Sequence, residues 1–184
     1  MHTNIHANEF VPSDIKFTSA ATNDSFMLKP ANYNDGDIIA MDRAYIDYAR
    51  FEELTNRGVT YVTKMKKNLV YDTLSDTMYM LPCGLMECRV QVVEFRKHIK
   101  GGENIKHKAR IVTYVDPAKK KAKVMSLLTN DMTMEVEDII DIYRQRWEIE
   151  LLFKQLKQNF PLIAGCCLAL LQRCACVSAL RPSR

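Results

Sequence analysis

Tyr143-Arg144-Gln145-Arg146-Trp147-Glu148-Ile149-Glu150-Leu151-Leu152-Phe153-Lys154-Gln155-Leu156-Lys157 reads as a helix. An α-helix turns about 100° per residue, so relative to Tyr143 the residues Arg146, Glu150 and Lys157 fall near about 300°, about 340° and about 320°. A phenol, a guanidinium, a carboxylate and an ammonium therefore share one stripe about 60° wide. Such a set suits a site that holds a metal ion and a phosphate. It equally suits a solvated face carrying i,i+4 ion pairs such as Arg146–Glu150. The stripe alone does not choose between them.

Around this stretch the helix has ordinary signals. Glu135, Glu137 and Asp138 place negative charge early, which suits the helix dipole, and Asp131 is a candidate N-terminal turn residue. Ile139, Ile140, Tyr143, Trp147, Leu151, Phe153 and Leu156 supply apolar surface, and Pro161 is the expected stop. Past Pro161 the composition breaks: no Asp or Glu follows Glu150 anywhere in the chain. Cys166, Cys167, Cys174 and Cys176 have a CC-x6-CxC spacing that is not a usual zinc pattern. Residues 162–184 are therefore expected to be a tail foreign to the domain, such as translation in a shifted frame would produce. DNA past codon 161 that continues no helical domain in its other frames would refute this.

Upstream lies a strand–helix–strand unit. Ile38 to Met41 is a continuous apolar run after a turn, the pattern of a strand buried on both faces. Residues 46–56 read as an amphipathic helix with Tyr48, Phe51 and Leu54 on one side, and Gly58 ends it. Val59 to Thr63 is β-branched and aromatic, a second strand expected to run parallel to the first. Asp42 stands where the first strand ends. It reads either as a turn-forming cap or as a carboxylate facing the crevice at the strand ends of an α/β sheet. Lys64, Lys66 and Lys67 follow the second strand, as phosphate contacts or as a solubilising edge.

Between this unit and the helix, residues 69–132 change texture to short strands and turns. Residues 70–73, 78–81, 90–95, 109–115 and 124–129 read as antiparallel strands, an insertion into the α/β fold. Basic residues are dense there: Arg96, Lys97, His98 and Lys100; Lys106, His107, Lys108 and Arg110; Lys119, Lys120, Lys121 and Lys123. A basic ribbon can track a phosphate backbone or protect a sheet edge. Residues 1–36 are mixed, with Ile15-Lys16-Phe17 a short alternating piece and 30–36 a turn cluster. His2 and His6 lie four apart without a third ligand and read as surface histidines.

The 184 residues are 47% apolar and 26% charged, ordinary globular values that argue against general disorder. A net charge of +4 permits nucleic acid as a partner. No N-terminal apolar core of a signal peptide is visible. The longest apolar run is too short to span a membrane, which takes about 20 residues. Four of the six cysteines lie after residue 165, unlike a stapled secreted scaffold, so a cytoplasmic setting is expected.

Two of these stretches resemble a known family. Asp37-Ile38-Ile39-Ala40-Met41-Asp42-Arg43-Ala44-Tyr45-Ile46-Asp47-Tyr48 looks like the second-aspartate strand of bacterial insertion-sequence transposases. Tyr143-x2-Arg146-x3-Glu150-x6-Lys157 matches the Y-(2)-R-(3)-E-(6)-K motif of the IS-four family of DDE transposases. The resemblance covers about residues 1–161 and includes Val62 to Asn68 and Leu127 to Asn130. It implies an α/β, ribonuclease-H-like catalytic core with an inserted antiparallel β segment. It implies Mg²⁺ or Mn²⁺ held by three acids, with Asp42 as the second and Glu150 as the third. Tyr143, Arg146 and Lys157, with Lys64, Lys66 and Lys67, would hold phosphates of double-stranded DNA at transposon ends and target. It further implies a dimer in the intact family and a cytoplasmic, nucleoid-associated bacterial setting. Two metals would clamp the attacking and leaving oxygens of an in-line displacement at phosphorus.

The family's first aspartate lies on an earlier strand, and residues 1–36 offer no match to that context. Asp14 and Asp24 sit in polar surroundings. The chain is therefore expected to lack the first strand of the core and to be inactive in transposition on its own. A non-catalytic DNA-binding or inhibitory protein, and a metal-dependent nuclease of the same fold, are the alternatives.

Overall fold

The computed structural model describes residues 2–6, 11–16, 28–80, 87–98, 104–116, 123–159 and 175–178. In chain order they form β1 (His2–His6), β2 (Val11–Lys16), β3 (Ile38–Met41), α1 (Tyr48–Asn56), β4 (Thr60–Lys64), β5 (Asp72–Met80), β6 (Glu87–Lys97), β7 (Ile105–Asp116), β8 (Lys123–Thr129), α2 (Val136–Asn159) and β9 (Ala175–Ser178).

The apolar run becomes β3, buried at all four positions because it is covered on both faces. It pairs in parallel with β4, Ile38 beside Thr60 and Met41 beside Thr63, as the strand–helix–strand pattern predicts. The connecting helix α1 starts at Asp47, whose carboxylate caps Ala49 N at 3.0 Å. Its apolar positions Phe51 and Leu54 are fully buried. It ends at Gly58, where φ is +71°. The backbone angle demands glycine, and a Cβ there would also push the exposed Asp35 carboxylate aside.

The 69–132 segment is antiparallel, as expected, but it is not a separate layer. β8 pairs with β4 through Val62–Thr129, Thr63–Leu128 and Lys64–Leu127, so the segment extends the same sheet. The order β3-β4-β8-β7-β6-β5 makes a mixed six-strand sheet flanked by two helices. Of residues 70–73 and 78–81, read from sequence as two strands, 72–73 and 78–80 instead belong to one strand, β5, with an irregularity between Thr73 and Ser75; Val70 and Tyr71 precede it, and residue 81 lies outside the described residues. The polar middle of β5 stays in the ladder because ladder bonds are made by backbone, and Asp76 finds Arg89 at 2.5 Å and Gln91 at 3.1 Å on β6.

On the far side of β3 the sheet continues through β9, β1 and β2. β1 and β2 form an antiparallel hairpin, where the sequence offered only a short alternating piece near residue 15. The polar run His2-Thr3-Asn4-Ile5-His6 carries almost no apolar alternation to mark it as a strand. β9 belongs to the tail and lies between β1 and β3, parallel to β1 and antiparallel to β3. Residues 17–27, 160–174 and 179–184, with Asp24, Pro161, Cys166, Cys167 and Cys174, lie outside the described residues.

Strand alternation builds two cores. One face buries Ile38, Ala40, Val62, Val112, Tyr114 and Leu127 under Val136, Ile139, Ile140 and Tyr143 of α2. The other buries Ile39, Met41, Tyr61, Ile111 and Leu128 under Phe51 and Leu54 of α1. Each fully buried large apolar side chain contributes about 1.5–3 kcal/mol. No helix among the described residues is long and apolar enough to cross a membrane.

Candidate functional site

Asp42 leaves β3 in extended geometry, φ −72° and ψ 153°. Strand alternation then puts it on the same face as Ile38 and Ala40, the face that α2 covers. Its Oδ1 accepts from Ala44 N at 2.9 Å and caps the 3₁₀ turn Arg43–Tyr45. One oxygen thus makes the turn cap that the sequence allowed, and the other faces the helix.

α2 brings Arg146 to that oxygen. Arg146 Nη2 lies 3.8 Å from Asp42 Oδ2, with Arg146 2% and Asp42 31% exposed. Charge-assisted hydrogen bonds close to about 2.7–2.9 Å, so this is an ion pair with room between its partners. Nη2 is also 3.5 Å from the Tyr143 hydroxyl, and the guanidinium carbon lies 5.2 Å from the Tyr143 ring centre. The helix stripe is thus an inward-facing one at Tyr143 and Arg146, and not the solvated face of the blander reading.

Glu150 follows Arg146 on α2 by four residues, about 6 Å along the same face. Lys157 continues the stripe about 10 Å further. Both belong to the helix, and their side chains lie outside the described residues. Lys64 is placed by register. Met41 pairs with Thr63, so Lys64 comes abreast of Asp42 at the ends of the two parallel strands. Alternation with Val62 puts it on the α2 side as well. Lys66 is half-buried and Lys67 exposed in the turn that follows.

The basic β segment divides. Arg96 is occupied by Glu94 at 2.9 Å and Asp72 at 3.1 Å, and Lys97 by Asp47 at 3.9 Å. His107 and Arg110 are buried, so these two do not form an open phosphate-tracking surface. Lys106, Lys108 and Lys123 are exposed, while Lys100 and Lys119, Lys120 and Lys121 lie outside the described residues.

A polar network that the sequence did not assemble organises the interior, and it takes in His107, read from sequence as part of a basic group. His107 Nδ1 lies 2.7 Å from Glu52 Oε2, and the Tyr61 hydroxyl lies 2.6 Å from His107 Nε2. The partners assign the tautomer: Nδ1–H donates to the carboxylate and Nε2 accepts from the phenol. Burial lowers the His107 pKa below its ordinary value, with the Glu52 hydrogen bond and charge opposing. Burial also holds the Tyr61 phenol well above its usual range, so it keeps its proton. These residues lie far apart in sequence and carry no shared period, so no sequence signal marks them.

The chain matches the family described as transposase DDE domain over residues 1–168. It belongs to the transposase DDE domain family. Members of that family generally use divalent metal ions. The domain is similar to "Putative transposase for insertion sequence element IS4SA" of Synechocystis, 28% identical over 129 residues, covering 70% of this chain and 33% of that one. It is 23% identical over 162 residues to "Putative transposase y4zB" of Sinorhizobium fredii, covering 88% of this chain and 45% of that one. A third relative is "Probable transposase for insertion sequence element IS5377" of Geobacillus stearothermophilus, 24% identical over 169 residues, covering 84% and 40% respectively. This DDE-domain chain therefore spans between a third and a half of the length of these relatives. The family match runs seven residues past Pro161, 168 − 161, the expected end of the family-like region.

Proposed function

We propose that this chain carries the second and third acids of a metal-dependent DNA phosphoryl-transfer centre, Asp42 and Glu150, on a ribonuclease-H-like core. The observation that carries this reading is the 3.8 Å approach of Arg146 to Asp42, which joins the strand-end aspartate to the helix stripe. Tyr143, Lys64, Lys66, Lys67 and Lys157 contact phosphates of double-stranded DNA. Arg146 and Tyr143 are the buried members: Arg146 orients Asp42, and the two meet a phosphate only at the floor of the site.

The donor set fits Mg²⁺ or Mn²⁺. Asp42 offers a partly exposed, hard carboxylate oxygen whose partner oxygen is held by Ala44 N. Mg²⁺ is held by one or two carboxylates together with substrate phosphates and water. Among the described residues no cluster of three or more His, Cys, Asp or Glu is present. When bound, the cation would supply charge stabilisation at phosphorus and a more acidic water or 3′-hydroxyl. Lys64, abreast of Asp42, offsets phosphate charge at the strand ends, and the Tyr143 hydroxyl supplies a hydrogen bond.

With two acids assigned, the purified chain is expected to bind Mn²⁺ and DNA without transferring strands. In the intact family the complete centre acts on transposon ends as a dimer. Manganese titration followed by electron paramagnetic resonance tests the assignment. Asp42→Asn and Glu150→Gln should each weaken Mn²⁺ binding at least tenfold, and unchanged affinity in both would sink it. Strand transfer on transposon-end DNA by the chain alone would overturn the expected inactivity. Cleavage of DNA lacking such ends would point to a nuclease, and a salt-sensitive mobility shift without cleavage to a non-catalytic binder.

A further inference from the structure

Asn130 follows the last residue of β8 and precedes the loop into α2. Its Oδ1 accepts the Tyr61 N–H at 2.9 Å. Its Nδ2 donates to Thr55 Oγ1 at 2.9 Å and to the Val59 carbonyl at 2.9 Å. One amide thus engages the last turn of α1, the α1–β4 connection and the second residue of β4. Thr55 is itself fixed, donating to the Phe51 carbonyl at 2.8 Å.

The next residue closes the loop. Asp131 Oδ1 accepts from Thr133 N and Met134 N, both at 2.8 Å, and from the Thr133 hydroxyl at 3.0 Å. Arg110 Nη1 on β7 donates to the Met134 carbonyl at 2.5 Å. The start of α2 is therefore held to the β3–α1–β4 unit through Asn130 and to the antiparallel strands through Arg110.

We infer that Asn130 is a positioning residue: it sets the axial register of α2 against β3 and β4, and so the distance of Arg146 and Glu150 from Asp42. The consequence for metal binding rests on the assignment of Asp42 and Glu150 above. A helix advances only about 1.5 Å per residue, and metal–oxygen distances tolerate about 0.2 Å. A slip of a fraction of a residue at the start of α2 is enough to separate two acids carried on different elements. The strand pairing of β8 with β4 fixes the sheet, but it leaves the height of the helix above it to the loop.

The chain holds a single tryptophan, Trp147, next to Arg146 on α2 and 50% exposed, so its emission reports the seating of α2 without metal. Asn130→Ala removes all three bonds. Asn130→Asp keeps the acceptor for Tyr61 N but loses both donors and sets a carboxylate against the Val59 carbonyl. Val93→Ala is the control, a core deletion on β6 away from the clamp. At temperatures where circular dichroism shows each variant folded, both Asn130 variants should shift Trp147 emission and weaken Mn²⁺ binding about tenfold, in line with lost outer support of metal ligands. Val93→Ala should do neither. Wild-type emission and affinity in both Asn130 variants, or equal changes in Val93→Ala, would overturn the inference. Absence of Mn²⁺ binding by the wild type would remove the site assignment, and the Trp147 shift alone would then decide the role of Asn130. If neither Asn130 variant folds, Thr55→Ala, which removes one of the three bonds, should give a smaller shift of the same sign, and no shift would again overturn it.

Discussion

The buried His107 makes a quantitative prediction about acid stability. Its side chain is fully buried between Glu52 and Tyr61, and burial lowers its pKa below the ordinary 6.5. The folded protein therefore holds it neutral while the unfolded chain takes up a proton near pH 6.5. A depressed folded pKa contributes stability that is complete above the unfolded pKa and is lost as pH falls through the folded value. One proton changes stability by at most about 1.4 kcal/mol per pH unit, so that slope is the ceiling on what acidification below pH 6.5 removes through this residue. Protonation at Nε2 also takes away the acceptor of the Tyr61 hydroxyl, a buried group that would be left without it. Replacing His107 with Gln keeps a donor and an acceptor of similar reach but removes the titration. Urea unfolding at pH 5.5, 6.0, 6.5 and 7.5 would measure the effect, with the difference between wild type and His107→Gln cancelling the other histidines and the carboxylates. The wild type should lose stability more steeply than the variant as pH falls across that range, most of it below pH 6.5 and by less than about 1.4 kcal/mol per pH unit. Parallel pH profiles would refute the buried neutral tautomer.

Three further outcomes follow from particular contacts. Gly58→Ala should destabilise by about 1–3 kcal/mol in chemical denaturation, because it meets both a positive φ and the Asp35 carboxylate; a neutral effect would mean that the α1–β4 turn is not as described. The triple variant Lys64→Ala, Lys66→Ala, Lys67→Ala should flatten the dependence of log DNA affinity on log salt by about 0.9 for each phosphate no longer neutralised. Arg96→Ala should leave that slope unchanged, since Glu94 and Asp72 already occupy its charge; a flattened slope there would return Arg96 to the DNA surface.

The helix and its stripe were legible because they rest on a period. So were β3, α1 and β4, whose apolar runs and turn residues are contiguous. The reach of β5 through Ser75 and Asp76 was not, because backbone pairing with β6 tolerates a polar strand that is exposed along its whole length. The basic groups were misleading where composition was read without partners. Arg96 is set beside Glu94 on its own strand and Asp72 on β5, and Lys97 beside Asp47, while His107 and Arg110 are buried on opposite faces of β7 because the sheet is covered on both sides there. Nothing in the sequence marked Asn130 as a clamp, since its three partners are assembled by the crossing of α1, β4 and β8.

By itself the sequence determined the local chemistry of this DDE-family domain: a carboxylate after a buried strand, and a phenol, guanidinium, carboxylate and ammonium at helical spacing. Those features depend on bond geometry within a few residues, which is why they can be read without a fold. Tertiary structure decided which of them meet. The parallel pairing of β3 with β4 brings Lys64 abreast of Asp42. The sheet extension through β8 and the Asn130 clamp lay α2 across that end, so that Arg146 arrives 3.8 Å from Asp42. Burial and charge pairing are properties of the space between elements, and that space exists only once the sheet has closed the distance along the chain.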